Sequence, residues 1–175
     1  MGRVVDLGEA ARLRAEARAA GRRVVLTNGY FDVLHVGHTR SLRKARDLGD
    51  LLVVAVNADA TAQRAKGPRR PINPEGERAE LLAALACVDY VVIFHENTAE
   101  RVVSILQPDI YAKGGDYDPA TLPEAPIVQA YGGRVVLMQF EPGHSTTDVV
   151  DRIVQRYGGG KPSTPPLPNP SLRSR

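Results

Sequence analysis

Short runs of apolar residues recur along the chain, and five of them are dominated by β-branched side chains. They are RVVLTN (23–28), DLLVVAVN (50–57), DYVVIF (89–94), DIYAK (109–113) and RVVLMQF (134–140). Runs that are nearly continuous in apolar character, rather than alternating, predict strands covered on both faces, as in a parallel sheet. Between them, helical spacing of apolar residues and capping signals predict helices near 7–19, 37–48, 74–86, 98–106, 124–131 and 145–156. This alternation predicts an α/β fold: a single Rossmann-like, doubly wound parallel sheet of about five strands with right-handed crossovers. Such sheets bind ligands beyond the carboxyl ends of their strands, so the segments just after the strands are where chemistry is sought.

The pattern stops near residue 157. Residues 1–157 therefore form the expected domain, and 175 residues are enough for one full core. Residues 158–175, GGGKPSTPPLPNPSLRSR, hold five prolines and only two large apolar side chains, Leu167 and Leu172. That composition cannot offset the entropy of ordering and predicts a disordered tail. The tail also carries the net charge of +3, through Lys161, Arg173 and Arg175 with no acid, which leaves the body formally neutral. A neutral body argues against a nucleic-acid backbone as partner. No 18 apolar residues run together, and the charged N-terminus does not read as a signal peptide, which predicts a cytoplasmic protein with no membrane partner. Asp6 stands where a myristoylation motif beginning at Gly2 needs Ser or Thr. The single cysteine, Cys87, lies in an apolar stretch and is expected to be a buried free thiol.

Polar residues cluster after the strands. The first is followed by TNGYFDVLHVGHTRSLRKARDLGD, in which His35 and His38 lie three apart at a helix start and so share a face. Gly37 between them lets a phosphate approach the backbone, where unpaired N–H groups and the helix dipole favour an anion. After the second strand, Asp59, Lys66, Arg69, Arg70 and Arg78 occur without the spacing of a Walker loop and predict a flexible cationic loop, with Arg64 and Arg69 as solvated charges. Asn73 and Pro74 mark a helix start, with Glu75 and Glu77 near its positive end. The fourth strand runs into Lys113, Gly114, Gly115, Asp116 and Tyr117, where the glycines permit tight turns. In GHSTTDVV, Ser145 is a candidate N-cap, Thr146 and Thr147 offer a second anion site, and His144 adds a titratable group beside them. No Gly-x-Ser-x-Gly elbow, HExxH site or paired-cysteine metal site occurs.

HVGH resembles the HxGH motif of the nucleotidyltransferase superfamily that shares a fold with class I aminoacyl-tRNA synthetases. NGYFDVLHVGH, KGPRRPINPEGERAELLAAL, KGGDYDP and GHSTTDVV follow in the order seen in the adenylyltransferase domain of bacterial ADP-heptose synthases, a resemblance covering residues 24–156. It implies transfer of AMP from ATP to D-glycero-D-manno-heptose 1-phosphate, giving ADP-heptose and pyrophosphate. It implies catalytic roles for His35, His38, Lys66 and Arg78, with Arg78 facing the active site. Nucleotide binding is implied for Asn28, Gly29, Phe31, Asp32, Gly37, Lys113, Gly115, Asp116, Ser145, Thr146 and Thr147. Mg²⁺ is expected to travel with ATP on triphosphate oxygens and waters rather than in a dedicated protein site. Many relatives fuse this domain to a sugar kinase, so a separate kinase is expected to supply the 1-phosphate; a homo-oligomer is left open.

Two other readings stand beside it. Glycerol 3-phosphate cytidylyltransferases also resemble the chain at HVGH, Arg78 and STT, but end in RTxGISTT where EPGHSTT stands here. A nucleotide-binding regulatory module without catalysis needs only the phosphate cradle. A truncated aminoacyl-tRNA synthetase is disfavoured, because no KMSKS-like loop follows.

Overall fold

Among the described residues, six strands form one wholly parallel sheet in the order β1-β4-β3-β2-β5-β6. The strands of this computed structural model are β1 (Arg3–Val4), β2 (Val24–Gly29), β3 (Leu51–Asn57), β4 (Tyr90–Phe94), β5 (Ile110–Gly114) and β6 (Arg134–Met138). The helices are α1 (Leu7–Ala19), α2 (Val36–Arg46), α3 (Asp59–Lys66), α4 (Glu75–Ala83), α5 (Glu100–Leu106), α6 (Ala125–Ala130) and α7 (Thr146–Tyr157). The structure describes residues 1–115, 121–138 and 143–158. The predicted tail beyond Gly158, the end of the last predicted strand at 139–140, and Asp116 and Tyr117 lie outside the described residues.

The sheet is apolar on both faces because both are covered. On one side Leu26, Val53, Val92 and Tyr111 pack with α1, α5 and α6 through Ala10, Ala17, Val102, Val103, Leu106 and Val128. On the other, Val25, Val54, Val56, Val91 and Ala112 meet α2 and α4 through Leu42, Ala45, Ala79 and Leu82. Successive residues of β2 thus face opposite cores, which fixes register: a slip of one position exchanges both faces at once. Fully burying each Leu or Val contributes about 1.5–3 kcal/mol relative to exposure.

Three aspartates, each standing one residue ahead of a strand, accept backbone N–H groups from the neighbouring strand or the residue before it. Asp50 accepts from Arg23, Asp89 from Leu52, and Asp109 from Val24, at 2.7–2.8 Å. Asp109 also pairs with Arg14 of α1 at 3.1 Å. These carboxylates tie together the edge of the sheet opposite the carboxyl ends.

The fold departs from expectation in three places. A sixth strand, Arg3–Val4, pairs with β4, and the Gly2 N–H reaches the Ala83 carbonyl at 2.9 Å. The cationic segment after β3 is not all loop, since Asp59–Lys66 is helical and places Lys66 at a helix end. Cys87 is partly rather than fully buried, against the core beneath α4, where burial pushes its thiol pKa up. Among the described residues no helix is long and apolar enough to cross a membrane.

The chain leaves β2 toward β3 on one side, while β5 pairs with β2 on the other. Loops after β2 and β5 therefore diverge above a gap at the sheet's carboxyl edge, where a ligand can settle between them.

Candidate active site

Above that gap lies a cleft of two lobes, of about 480 and 410 Å³, that share Tyr30, Phe31, His38, Ser41 and Lys66 as a common wall.

The first lobe is built around the start of α2. His35 is the N-cap residue, extended at φ −140°, and its side chain makes no capping bond. His38 lies one turn on, and the two rings stack with centroids 3.8 Å apart and planes 24° from parallel. Phe31, at a positive φ of 47°, meets the His38 ring in an edge-type arrangement with centroids 5.3 Å apart. A side chain at Gly29 would strike the Phe31 ring, and one at Gly37 would crowd His35 Nδ1 and His144 at 3.0 Å. A larger residue at either position would have to displace these rings. The first N–H groups of α2 have no partner within their own helix.

Each histidine has its Nδ1 buried without a hydrogen-bond partner among the described residues. Burial lowers the pKa of His38 to about 4, with His35 as a second like-charge cause. His35 is also lowered, by burial first and by His144 second, with Asp148 opposing. In the unliganded protein both imidazoles are therefore neutral near pH 7, and each can gain a proton if an anion arrives.

Opposite α2 stands the start of α7. Ser145 Oγ accepts from the Asp148 N–H and the Asp148 carboxylate accepts from the Ser145 N–H, both at 3.0 Å, forming a reciprocal cap. The hydroxyl expected to bind nucleotide is thus engaged in capping. Thr146, Thr147 and His144 line the lobe beside it.

Asp32 is 7% exposed and organises the third side. Oδ1 accepts from the N–H groups of Ile72 and Asn73, and Oδ2 pairs with Arg70 at 2.8 Å. The Asn73 amide returns a bond to the Asp32 carbonyl at 2.7 Å. Asp32 thereby fixes the 70–73 loop, and the Lys66 ammonium at the end of α3 sits 5.6 Å from the Tyr30 ring centroid. Arg64 reaches out to Asn97, and Arg69 is exposed, as expected of solvated charges.

Arg78 departs from expectation. Its side chain is 0% exposed and lines neither lobe. The guanidinium donates to the carbonyls of Tyr30, Asn57 and Asn73 and pairs with Asp59 at 2.7 Å. It joins the turn after β2, the end of β3 and the start of α4, and so positions the cleft from behind.

The second lobe lies over the ends of β2 and β5. Lys113 Nζ donates to Asn28 Oδ1 at 2.9 Å, and the Tyr111 hydroxyl donates to the same oxygen at 2.7 Å. Burial lowers the Lys113 pKa, while Glu124 opposes that shift. Gly114 lines this lobe; Gly115, at φ 133°, donates to the Met138 carbonyl instead. Thr98 and Glu124 complete the far wall. Neither was singled out by the sequence, because an isolated threonine and an isolated acid carry no motif.

Comparison with known proteins agrees with this architecture. The family model for cytidylyltransferase-like proteins matches residues 26–152. The bifunctional protein HldE of Syntrophotalea carbinolica is 53% identical over 143 residues, covering 82% of this chain and 29% of its own length. That of Geobacter metallireducens is 49% identical over 151 residues, covering 86% and 31%. The chain thus spans about three-tenths of the length of these curated relatives. A crystal structure of a lipopolysaccharide core biosynthesis protein from Thermoplasma volcanium superposes with a TM-score of 0.59 at 32% identity, covering 69% of this chain and 98% of that one. Pantoate-beta-alanine ligase from Francisella tularensis reaches the same TM-score at 14% identity, covering 89% and 78%, and shares the fold alone. Match, register and cleft coincide over the same stretch of sequence, and the chain belongs to the cytidylyltransferase-like family.

Proposed function

We propose that this chain is an adenylyltransferase that moves AMP from ATP to D-glycero-D-manno-heptose 1-phosphate, releasing pyrophosphate and ADP-heptose. The observation that carries the reading is the stacked pair His35 and His38, each with a buried ring nitrogen lacking a partner, at the start of α2 and facing Thr146 and Thr147 across one lobe. Buried polar atoms without partners are costly, and a polyphosphate satisfies them. Half-identity to HldE proteins, and the motifs that resemble ADP-heptose synthases, support the choice of acceptor.

The chemistry needs no serine nucleophile and no strong base. An ionised oxygen of the sugar phosphate attacks the α-phosphorus in line, that bond forms as the bond to the bridging oxygen breaks, and the electron pair leaves with pyrophosphate. What the protein supplies is alignment and stabilisation of developing charge. In this reading His38 and Lys66, which line both lobes, border the reacting phosphates. The amides of α2 and the residues at the start of α7 hold the β- and γ-phosphates. Asn28, Phe31, Asp32 and Arg78 act by holding these parts in place.

Mg²⁺ belongs to the reading as a companion of ATP. In this reading the ion is carried on phosphate oxygens and waters rather than by a dedicated set of side chains. When bound, it neutralises charge on the triphosphate and the departing pyrophosphate.

The test is pyrophosphate release by purified protein with Mg²⁺, pairing ATP or CTP with heptose 1-phosphate or glycerol 3-phosphate. Turnover is expected with ATP and heptose 1-phosphate. Preference for CTP with glycerol 3-phosphate would reassign both substrates, and nucleotide binding with no release from any pair would leave a binding module.

A further inference from the structure

Glu124 is 2% exposed, yet it lines the second lobe of the cleft. One carboxylate oxygen, Oε1, accepts the Ala99 N–H at 2.9 Å, which fixes the side chain against the start of α5. The other, Oε2, is buried without a hydrogen-bond partner among the described residues. A carboxylate oxygen in that state is costly, and a donor arriving with a ligand relieves the cost.

The surroundings restrict what the donor can be. Lys113 is near enough for Glu124 to raise its pKa, but the Lys113 ammonium donates to Asn28 at 2.9 Å. A phosphate is excluded from the Glu124 end by like charge. It is favoured at the wall shared with the first lobe, which His38 and Lys66 line. A ligand with an anionic end and an uncharged, hydroxyl-bearing end therefore has one favourable orientation here.

We propose that Glu124 is a specificity-determining residue of the acceptor subsite, its free oxygen accepting a hydrogen bond from a sugar hydroxyl at the end remote from the phosphate. This rests on the adenylyltransferase reading above and adds to it a residue and a direction of binding. The bond selects for a donor at that point of the acceptor; an acceptor lacking the hydroxyl leaves the buried oxygen unpaired, a mismatch that discriminates more sharply than size.

The test uses the full chain, with Glu124→Gln and Glu124→Ala compared with wild type for pyrophosphate release and thermal melting. Glu124→Gln retains the shape and the oxygen facing Ala99. It is expected to raise KM for the sugar phosphate by about 10-fold, the scale of one hydrogen bond to a charged group, with KM for ATP within about 2-fold. Monodeoxy sugar phosphates give the second readout: one of them loses a comparable factor with wild type and no further factor with Glu124→Gln. Unchanged acceptor KM, or a parallel rise in KM for ATP, overturns the assignment of Glu124 while the enzyme reading stands. A wild-type protein that releases no pyrophosphate with any sugar phosphate overturns the enzyme reading and this proposal with it. If Glu124→Ala loses melting temperature while Glu124→Gln keeps both melting and acceptor KM, the carboxylate serves only to hold Ala99.

Discussion

His35 and His38 lie ring on ring at 3.8 Å, a spacing at which a proton on one imidazole disfavours a proton on the other. The pair is therefore neutral near pH 7 in the unliganded protein, and on the proposed reading a bound polyanion would favour its charged form. Two measurable consequences follow from that arrangement, one for catalysis and one for acid stability.

Replacing His38 with Ala is expected to lower turnover by about 10²-fold or more, by analogy with loss of one oxyanion-stabilising donor. The melting temperature should stay close to wild type, since the ring nitrogen has no protein partner to lose. Steady-state rates beside a thermal melt check this, and retained turnover removes His38 from the catalytic group.

The pH dependence has a definite sign. The folded His38 pKa of about 4 lies below the unfolded value of 6.5, so between these limits the unfolded chain binds more protons. This contribution is fully present above pH 6.5 and is lost as pH falls toward 4, with His35 acting in the same direction. Denaturant unfolding of the unliganded protein from pH 7 to 4 should lose stability, and His38→Gln should flatten that limb. ATP reverses the balance by favouring the charged ring. Calorimetry near pH 6 in buffers of different ionisation enthalpy should find greater proton uptake for wild type than for His38→Gln. Equal uptake by the two proteins would falsify the assignment.

Arg78→Ala leaves the Asp59 carboxylate and three backbone carbonyls without their shared donor. Breaking a buried pair costs about 3–5 kcal/mol, and the partial exposure of Asp59 places this one toward the lower end. At about 2–4 °C per kcal/mol for a domain of this size, melting should fall by roughly 10 °C. Activity should fall with it, because the turn after β2 loses its support. A variant that melts as wild type but cannot turn over would return Arg78 to direct contact with substrate.

Asp32→Asn removes acceptor capacity at the point where Arg70, Ile72 and Asn73 converge. Limited trypsin digestion should cut faster after Lys66 or Arg69, and KM for ATP should rise while KM for the sugar phosphate changes less. Unchanged proteolysis would mean that the loop is held by other contacts.

Much of the fold could be read from the sequence because buried parallel strands are apolar throughout, and five such runs stand apart. The two-residue strand Arg3–Val4 is too short to carry a pattern. Helix α3 was hidden because DATAQRAK has few large apolar side chains and no side-chain cap at Ala58. Within the site, His35, Gly37 and His38 were legible because adjacent positions on one helix suffice to bring them together. Arg78 was legible as a special residue but not in its role, since its carbonyl partners meet only after β2, β3 and α4 have assembled. Glu124 gave no signal, being an ordinary acid until Ala99 and the cleft wall close around it.

The three aspartates at the far edge of the sheet separate what can vary from what cannot. Asp50, Asp89 and Asp109 lock β2, β3, β4 and β5 against one another at the end remote from the cleft. The carboxyl ends, and with them Asn28 and Lys113, emerge at fixed heights whatever the loops above them contain. Chain length and side chains in those loops can therefore be exchanged to admit a different acceptor without re-registering the strands. An engineer seeking new substrates has a stationary floor on which to rebuild the walls.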